Sequence, residues 1–195
     1  MRIITGKYKG RHFDIPRTFK ARPTTDFAKE NIFNVLIQYV DFDGAKALDL
    51  FSGTGSITLE LLSRGCAHVT SIELDRDHHR FICECTKKLS ILNTQSSILR
   101  ADVFRFLRSC RQQFDFIFAD PPYALKELSR LPDLIFRDTQ PSAAEATSNL
   151  SPITHNLLTP DGVFVLEHGK DHDFSQYPHF VEHRAYGSVN FSLFK

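Results

Sequence analysis

The sequence contains no tryptophan, so an aromatic core or stacking surface must come from its 18 phenylalanines and 5 tyrosines. No apolar run approaches the roughly 20 residues of a membrane-spanning helix. Met1-Arg2-Ile3-Ile4-Thr5-Gly6 has neither the apolar stretch nor the cleavage site of a secretory leader. A cytoplasmic protein with no membrane partner is expected. Cysteine is scarce, and Cys83 and Cys85 form C-x-C, not the C-x-x-C of zinc or redox sites. Ordinary reduced thiols are the expectation for Cys66, Cys83, Cys85 and Cys110. His168, His172, His179 and His183 fall close together, but without an acid or cysteine in a known ligand arrangement, and Pro178 interrupts them. No metal site is expected.

What is present is an ordinary globular composition, 42% hydrophobic and 24% charged over 195 residues. That suits one domain with a small appendage. The net charge of +1 is unevenly spread. Residues 1–22 carry seven basic side chains (Arg2, Lys7, Lys9, Arg11, Arg17, Lys20 and Arg22) against Asp14 alone. A basic arm on an acidic body suits a polyanion such as nucleic acid, and equally a solvated hairpin.

Residues 2–5 and 11–15 read as short strands joined by Gly6-Lys7-Tyr8-Lys9-Gly10. A basic linker ends in Arg22-Pro23. Thr24 or Thr25 then caps a helix with Asp26 in its first turn and an apolar stripe of Phe27, Ile32, Phe33, Leu36, Ile37 and Val40. From residue 45 strands and helices alternate. Strands are predicted at 46–51, 68–73, 97–101, 114–119, 162–167, 179–184 and 188–194. Helices are predicted at 55–64, 76–91, 103–111, 124–136 and 147–158. Nearly continuous apolar runs such as Phe114 to Ala119 suit buried parallel strands. The pattern implies βαβ units in a doubly wound sheet, with an antiparallel hairpin around Tyr186-Gly187. Residues 138–149 are polar and small and read as a surface loop or insertion.

In such a sheet ligands bind outside the carboxyl ends of the strands. The first strand is followed by Asp49-Leu50-Phe51-Ser52-Gly53-Thr54-Gly55. Gly53 and Gly55 permit a tight turn, but the third glycine of a dinucleotide fingerprint is replaced by Thr58. S-adenosyl-L-methionine, which has no pyrophosphate, needs fewer glycines. Asp49 either accepts from its ammonium or shapes the loop, with Ser52 beside it. Glu73, 18 residues after Gly55, stands where related folds bind a ribose diol, with Asp75 as a helix cap. Asp102, after the third strand, suits the adenine amino group, a helix N-cap, or both.

The fourth strand ends in Asp120-Pro121-Pro122-Tyr123. An exocyclic base amine is a poor nucleophile because its lone pair is delocalised into the ring. Two acceptors for its N–H protons turn that lone pair outward: a side-chain oxygen of Asp120 and the carbonyl of Pro121. Pro121 and Pro122 fix φ and contribute no N–H, which keeps the surface rigid and acceptor-rich. Tyr123 offers a stacking face. Asp120 or water takes the proton. Catalysis on this reading is positioning plus electrostatics.

These residues, with Arg2-Ile3-Ile4-Thr5-Gly6, Lys9-Gly10-Arg11, Arg22-Pro23-Thr24-Thr25-Asp26, Glu30, Phe33-Asn34, Leu59-Glu60 and Leu62-Ser63-Arg64-Gly65, resemble the RsmD family of bacterial 16S ribosomal RNA guanine-N2 methyltransferases over nearly the whole chain. The resemblance implies an α/β class I methyltransferase fold, Rossmann-like, with seven mostly parallel strands and a small N-terminal β-hairpin. Residues 1–22 would form the RNA-binding arm and 23–195 the methyltransferase domain of a monomer. It implies a guanine of 16S rRNA in the assembled or assembling small subunit as substrate. Lys7, Lys9, Arg11, Arg17, Lys20, Arg22 and Thr24 would contact the RNA. The rivals are an adenine-N6 or cytosine-N4 methyltransferase and a non-catalytic assembly factor on the same scaffold.

Overall fold

A computed structural model describes residues 1–19, 25–137 and 156–195. Lys20, Arg22 and Thr24, the predicted insertion at 138–149, and most of the predicted helix at 147–158 lie outside the described residues. The seven strands are β1 (Lys46–Leu50), β2 (His68–Glu73), β3 (Ser96–Arg100), β4 (Phe114–Ala119), β5 (Leu158–His168), β6 (Phe180–Tyr186) and β7 (Val189–Phe194). They form one sheet in the order β3-β2-β1-β4-β5-β7-β6. β3 through β5 pair in parallel, and β7 runs antiparallel to both its neighbours. This is the class I methyltransferase sheet.

Both faces of the sheet's central strands are buried, and the period of two sorts their side chains between them. Ala47, Phe116, Phe118, Val163, Val165 and Phe191 join one core cluster. Leu48, Ile117, Ala119, Phe164, Leu166 and Phe194 join the other. Phenylalanine does the work that tryptophan would share elsewhere. Phe33, Phe42 and Phe116 make successive ring contacts at 5.4 and 5.3 Å, and Phe164 stacks on Phe194 at 5.3 Å across the sheet.

The helices are α1 (Asp26–Leu36), α2 (Ser56–Ser63), α3 (Arg76–Lys88), α4 (Val103–Ser109) and α5 (Leu131–Phe136). Of the two candidate caps for α1 it is Thr25 whose hydroxyl accepts from the Ala28 N–H. The predicted helix at 124–136 is shorter: a 3-10 turn at Leu128–Arg130 leads into α5. Pro132 explains this, because it has no N–H to give and would clash with a helical carbonyl four residues earlier. Strand β5 begins at Leu158, four residues before expectation, and its pairing with β4 shifts between Phe114 and Phe116. Pro160 and Asp161 sit exposed in that irregular stretch.

The N-terminal arm also differs from two regular strands. Only Arg2 and His12 form a bridge, supported by hydrogen bonds from Ile3 N to Arg11 O and from Phe13 N to Met1 O. Four further arm N–H groups turn to α2 instead. Ile4 N and Thr5 N donate to the two oxygens of Glu60, Lys7 N to Ser63 O, and Tyr8 N to Ser63 Oγ. Gly6 makes the approach possible: φ is +86°, and a Cβ there would lie 1.8 Å from Ser63 O. Ile3 and Phe13 are buried in the core cluster that contains α1 and α2.

Candidate active site

The strand order reverses between β1 and β4, and a cleft opens outside their carboxyl ends. Its volume is about 1190 Å³, above the roughly 300–1,000 Å³ of a single drug-sized ligand site. That volume exceeds what one small ligand needs. The four predicted strand-end groups converge here: Asp49, Ser52 and Gly53 after β1, Glu73 at the end of β2, Asp102 after β3, and Asp120 to Tyr123 after β4.

The glycine loop is tied internally. Glu73 accepts from Gly53 N at 2.7 Å and from Asp75 N at 2.8 Å. Ser52 N donates to Ile72 O, and Gly55 N to Ser52 O. A dinucleotide fold turns such N–H groups toward pyrophosphate. Here three are spent within the protein and a carboxylate stands beside them, which disfavours phosphate and suits a cationic ligand.

Gly55 does not line the cleft. Its φ is +76°, and a Cβ would come within 2.9 Å of Ile82 Cγ1, so its role is the close approach of α3. Thr58, at the missing third-glycine position, bonds both strands beneath it. Its hydroxyl donates to Asp49 Oδ2 at 2.5 Å and lies 2.7 Å from Ser71 Oγ. Asp49 is thereby buried, and burial pushes its carboxyl up to about 7, against the opposing effect of the Thr58 and Ser52 hydrogen bonds. Asp49 shapes the loop while still bordering the cleft. Asp102 caps α4 by accepting from Arg105 N, and Asp75 caps α3.

At the β4 end, Asp120 N donates to Leu50 O, which continues the sheet's pairing one residue beyond the strand. Tyr123 is partly exposed, and its ring is backed by Gly169, where a Cβ would meet Tyr123 Cδ2 at 3.3 Å. The Tyr123 hydroxyl donates to Glu167 Oε1 at 3.0 Å. Glu167 is buried and lines the cleft. It is not among the four predicted strand-end groups, yet the strand-end signal extends to a fifth strand, where Glu167 follows Val163-Phe164-Val165-Leu166.

Lys7, Lys9, Arg11 and Arg17 are all exposed on the arm. Behind them lies a second missed group. Glu60 and Lys29 are both fully buried, with Lys29 Nζ 3.6 Å from Glu60 Oε2. Arg64 donates to Glu60 Oε1 at 3.0 Å and stacks over the Phe33 ring at 4.3 Å. Lys29 also donates to Arg2 O and to Ser56 Oγ, and Ser56 lines the cleft. Burial holds Lys29 below its ordinary pKa, opposed by the charge of Glu60. A helical stripe pattern hides such a lysine, because nothing in its own neighbourhood marks it as inward.

The family described as Conserved hypothetical protein 95 matches residues 1–195. The chain belongs to that family, the RsmD family. Among RsmD-like relatives, Ribosomal RNA small subunit methyltransferase D of Buchnera aphidicola subsp. Baizongia pistaciae (strain Bp) is 33% identical over 138 residues, 71% of this chain and 69% of that protein. YlbH of Bacillus subtilis (strain 168), described as a candidate rRNA methyltransferase, is 33% identical over 174 residues, 88% of this chain and 84% of that protein. The solved structure of yhhF from Escherichia coli, described as a candidate methyltransferase, superposes with a TM-score of 0.78 at 25% identity, covering 100% of this chain and 96% of that one. This RsmD-family chain is a methyltransferase with the class I fold.

Proposed function

We propose that the protein transfers a methyl group from S-adenosyl-L-methionine to the N2 amine of a guanine in 16S rRNA. The observation that carries this reading is the shared cleft, in which Asp120-Pro121-Pro122-Tyr123 faces the glycine loop, Glu73 and Asp102. The acidic, phosphate-averse loop fits a cofactor with a sulfonium and an ammonium. Asp49 and Gly53 would flank its amino acid part, Glu73 its ribose and Asp102 its adenine.

When bound, the cofactor supplies an electrophilic methyl group. Asp120 and the Pro121 carbonyl accept the two amine N–H protons and turn the nitrogen lone pair toward it. As the amine takes the methyl group, its extra proton would leave to Asp120 or water. Tyr123 holds the ring by stacking, so a paired base must first be turned out of its helix. The products are N2-methylguanosine and S-adenosylhomocysteine.

On this reading the arm, residues 1–22, grips the phosphate backbone, and residues 23–195 do the chemistry. The substrate is rRNA in the assembled or assembling small subunit, met in the cytoplasm by a monomer. Among the described residues no helix is long and apolar enough to cross a membrane. The deciding experiment incubates the protein with labelled S-adenosyl-L-methionine and small subunits lacking the modification, then maps the labelled nucleoside. N2-methylguanosine is expected. N6-methyladenosine or N4-methylcytidine would replace the base assignment, and no cofactor binding by calorimetry would leave only an assembly factor.

The arm is testable separately. It docks through backbone N–H groups on Glu60 and Ser63, and Lys7, Lys9 and Arg11 are exposed, so these three side chains are not needed for its docking. Replacing Lys7, Lys9 and Arg11 together by Ala should weaken RNA binding. It should also flatten the slope of log affinity against log salt by about 2, since each phosphate contact contributes roughly 0.7–0.9. Cofactor affinity should not change. Wild-type binding and salt slope in the triple variant would remove the arm from the RNA interface.

A further inference from the structure

We propose that Glu167 selects guanine by accepting its ring N1–H beside the amine that Asp120 and Pro121 hold. This rests on the guanine-N2 reading above and supplies what the tetrapeptide lacks. Asp-Pro-Pro-Tyr recognises an amine on a planar ring, and adenine N6, cytosine N4 and guanine N2 all qualify.

The placement comes from the sheet. Ala119 of β4 is in parallel register with Leu166 of β5. Asp120, one residue past β4, and Glu167, the next-to-last residue of β5, therefore stand side by side at the same edge, and both line the cleft. Glu167 is only 4% exposed, and its Oε1 accepts from the Tyr123 hydroxyl at 3.0 Å. A base stacked on the Tyr123 ring would have this carboxylate near its edge, because the Tyr123 hydroxyl bonds it and both residues line the cleft.

The chemistry then separates the three bases. A carboxylate presents lone pairs only. Beside the amine, adenine offers the lone pair of N1 and cytosine the lone pair of N3. Either would face Glu167 acceptor to acceptor, at a carboxylate that is itself buried. Guanine alone offers N1–H there, and a hydrogen bond to a charged acceptor is among the stronger kinds. Sites built around such a bond reject analogues that lack it far better than sites built on shape, because the site's own polar group is left unpaired.

The test replaces the mapped target guanine by 2-aminopurine in reconstituted small subunits. This base keeps the N2 amine but carries a lone pair at N1. Wild-type protein should lose about 100-fold or more in kcat/KM on the 2-aminopurine substrate, in line with the discrimination of a site built to accept a substrate N–H. Glu167→Gln should lower guanine methylation and narrow the gap between the two substrates to within about tenfold, since an amide N–H can donate to N1. Calorimetry should show unchanged cofactor binding. Tyr123→Phe should slow both substrates and keep the guanine preference, because the acid remains.

Equal use of both bases by the wild type would overturn the proposal, and that comparison needs no variant to fold. So would an equal loss on both substrates in Glu167→Gln, which would make Glu167 a support for Tyr123 only. Failure of the guanine-N2 reading itself would look different: wild-type protein would leave no N2-methylguanosine in natural subunits.

Discussion

Asp120→Asn should lower kcat by about 10²–10³-fold while leaving cofactor affinity within about twofold, the size of effect seen when one directional hydrogen bond to a reacting group is removed. The substitution preserves shape and the Asp120 N–H to Leu50 O bond, so the strand end stays in place. It changes only what the side chain offers. A carboxylate accepts along both oxygens, whereas the amide keeps one acceptor and sets beside it an N–H donor that competes for the place of an amine that is itself a donor. The amine then settles with its lone pair misdirected, and the local negative charge that favours the developing ammonium is lost. Single-turnover methylation of small subunits separates this from binding, and calorimetry reads the cofactor. Full activity in Asp120→Ala would sink the mechanism.

Much of this site is legible along the chain because the chemistry sits where strands end. A strand announces itself by an apolar run, as in Phe114 to Ala119, and the residue after it is placed at the sheet edge whatever else the fold does. That logic locates Asp49, Glu73, Asp102 and Asp120 correctly at one cleft. It says nothing of what each side chain already holds. Glu73 gathers two backbone N–H groups, Asp49 is held by Thr58, and Gly55 serves the packing of α3. Those are contacts between residues 2–20 positions apart or on different helices, and no local pattern encodes them.

The elements that were misjudged share a cause. Pro132 divides a stretch whose apolar spacing alone suggests one helix, and the arm's strands are thinned because α2 takes their N–H groups. In both, hydrogen-bond supply overrides local pattern. The arm is consequently part of the domain's core at Ile3 and Phe13, although its charge sets it apart. Through Lys29 it also touches the residue, Ser56, that starts α2 beside the cofactor loop. The basic arm and the start of α2 are thus joined by one buried cation.

Glu60→Ala tests that joint, and it should be the most destabilising single change among the described residues. Glu60 accepts from Ile4 N, Thr5 N and Arg64, and lies 3.6 Å from Lys29. Its removal strands a buried ammonium and orphans two backbone donors. Breaking a buried pair from one side typically costs about 3–5 kcal/mol, or roughly 6–20 °C in Tm for a domain of this size. The loss should depend on pH in a definite direction. Burial already lowers the Lys29 pKa, and the charge of Glu60 partly restores it. Without Glu60 the folded state releases that proton more readily than the unfolded chain does. Between the two pKa values the unfolded chain then binds more protons, so stability rises with pH. The Tm deficit of Glu60→Ala should therefore shrink from pH 7 to pH 9. Replacing Lys29 by Met in the same chain should recover part of the deficit at pH 7 by removing the stranded charge. A deficit that stays constant with pH, or a double variant worse than Glu60→Ala, would mean that Lys29 is not the group left uncompensated.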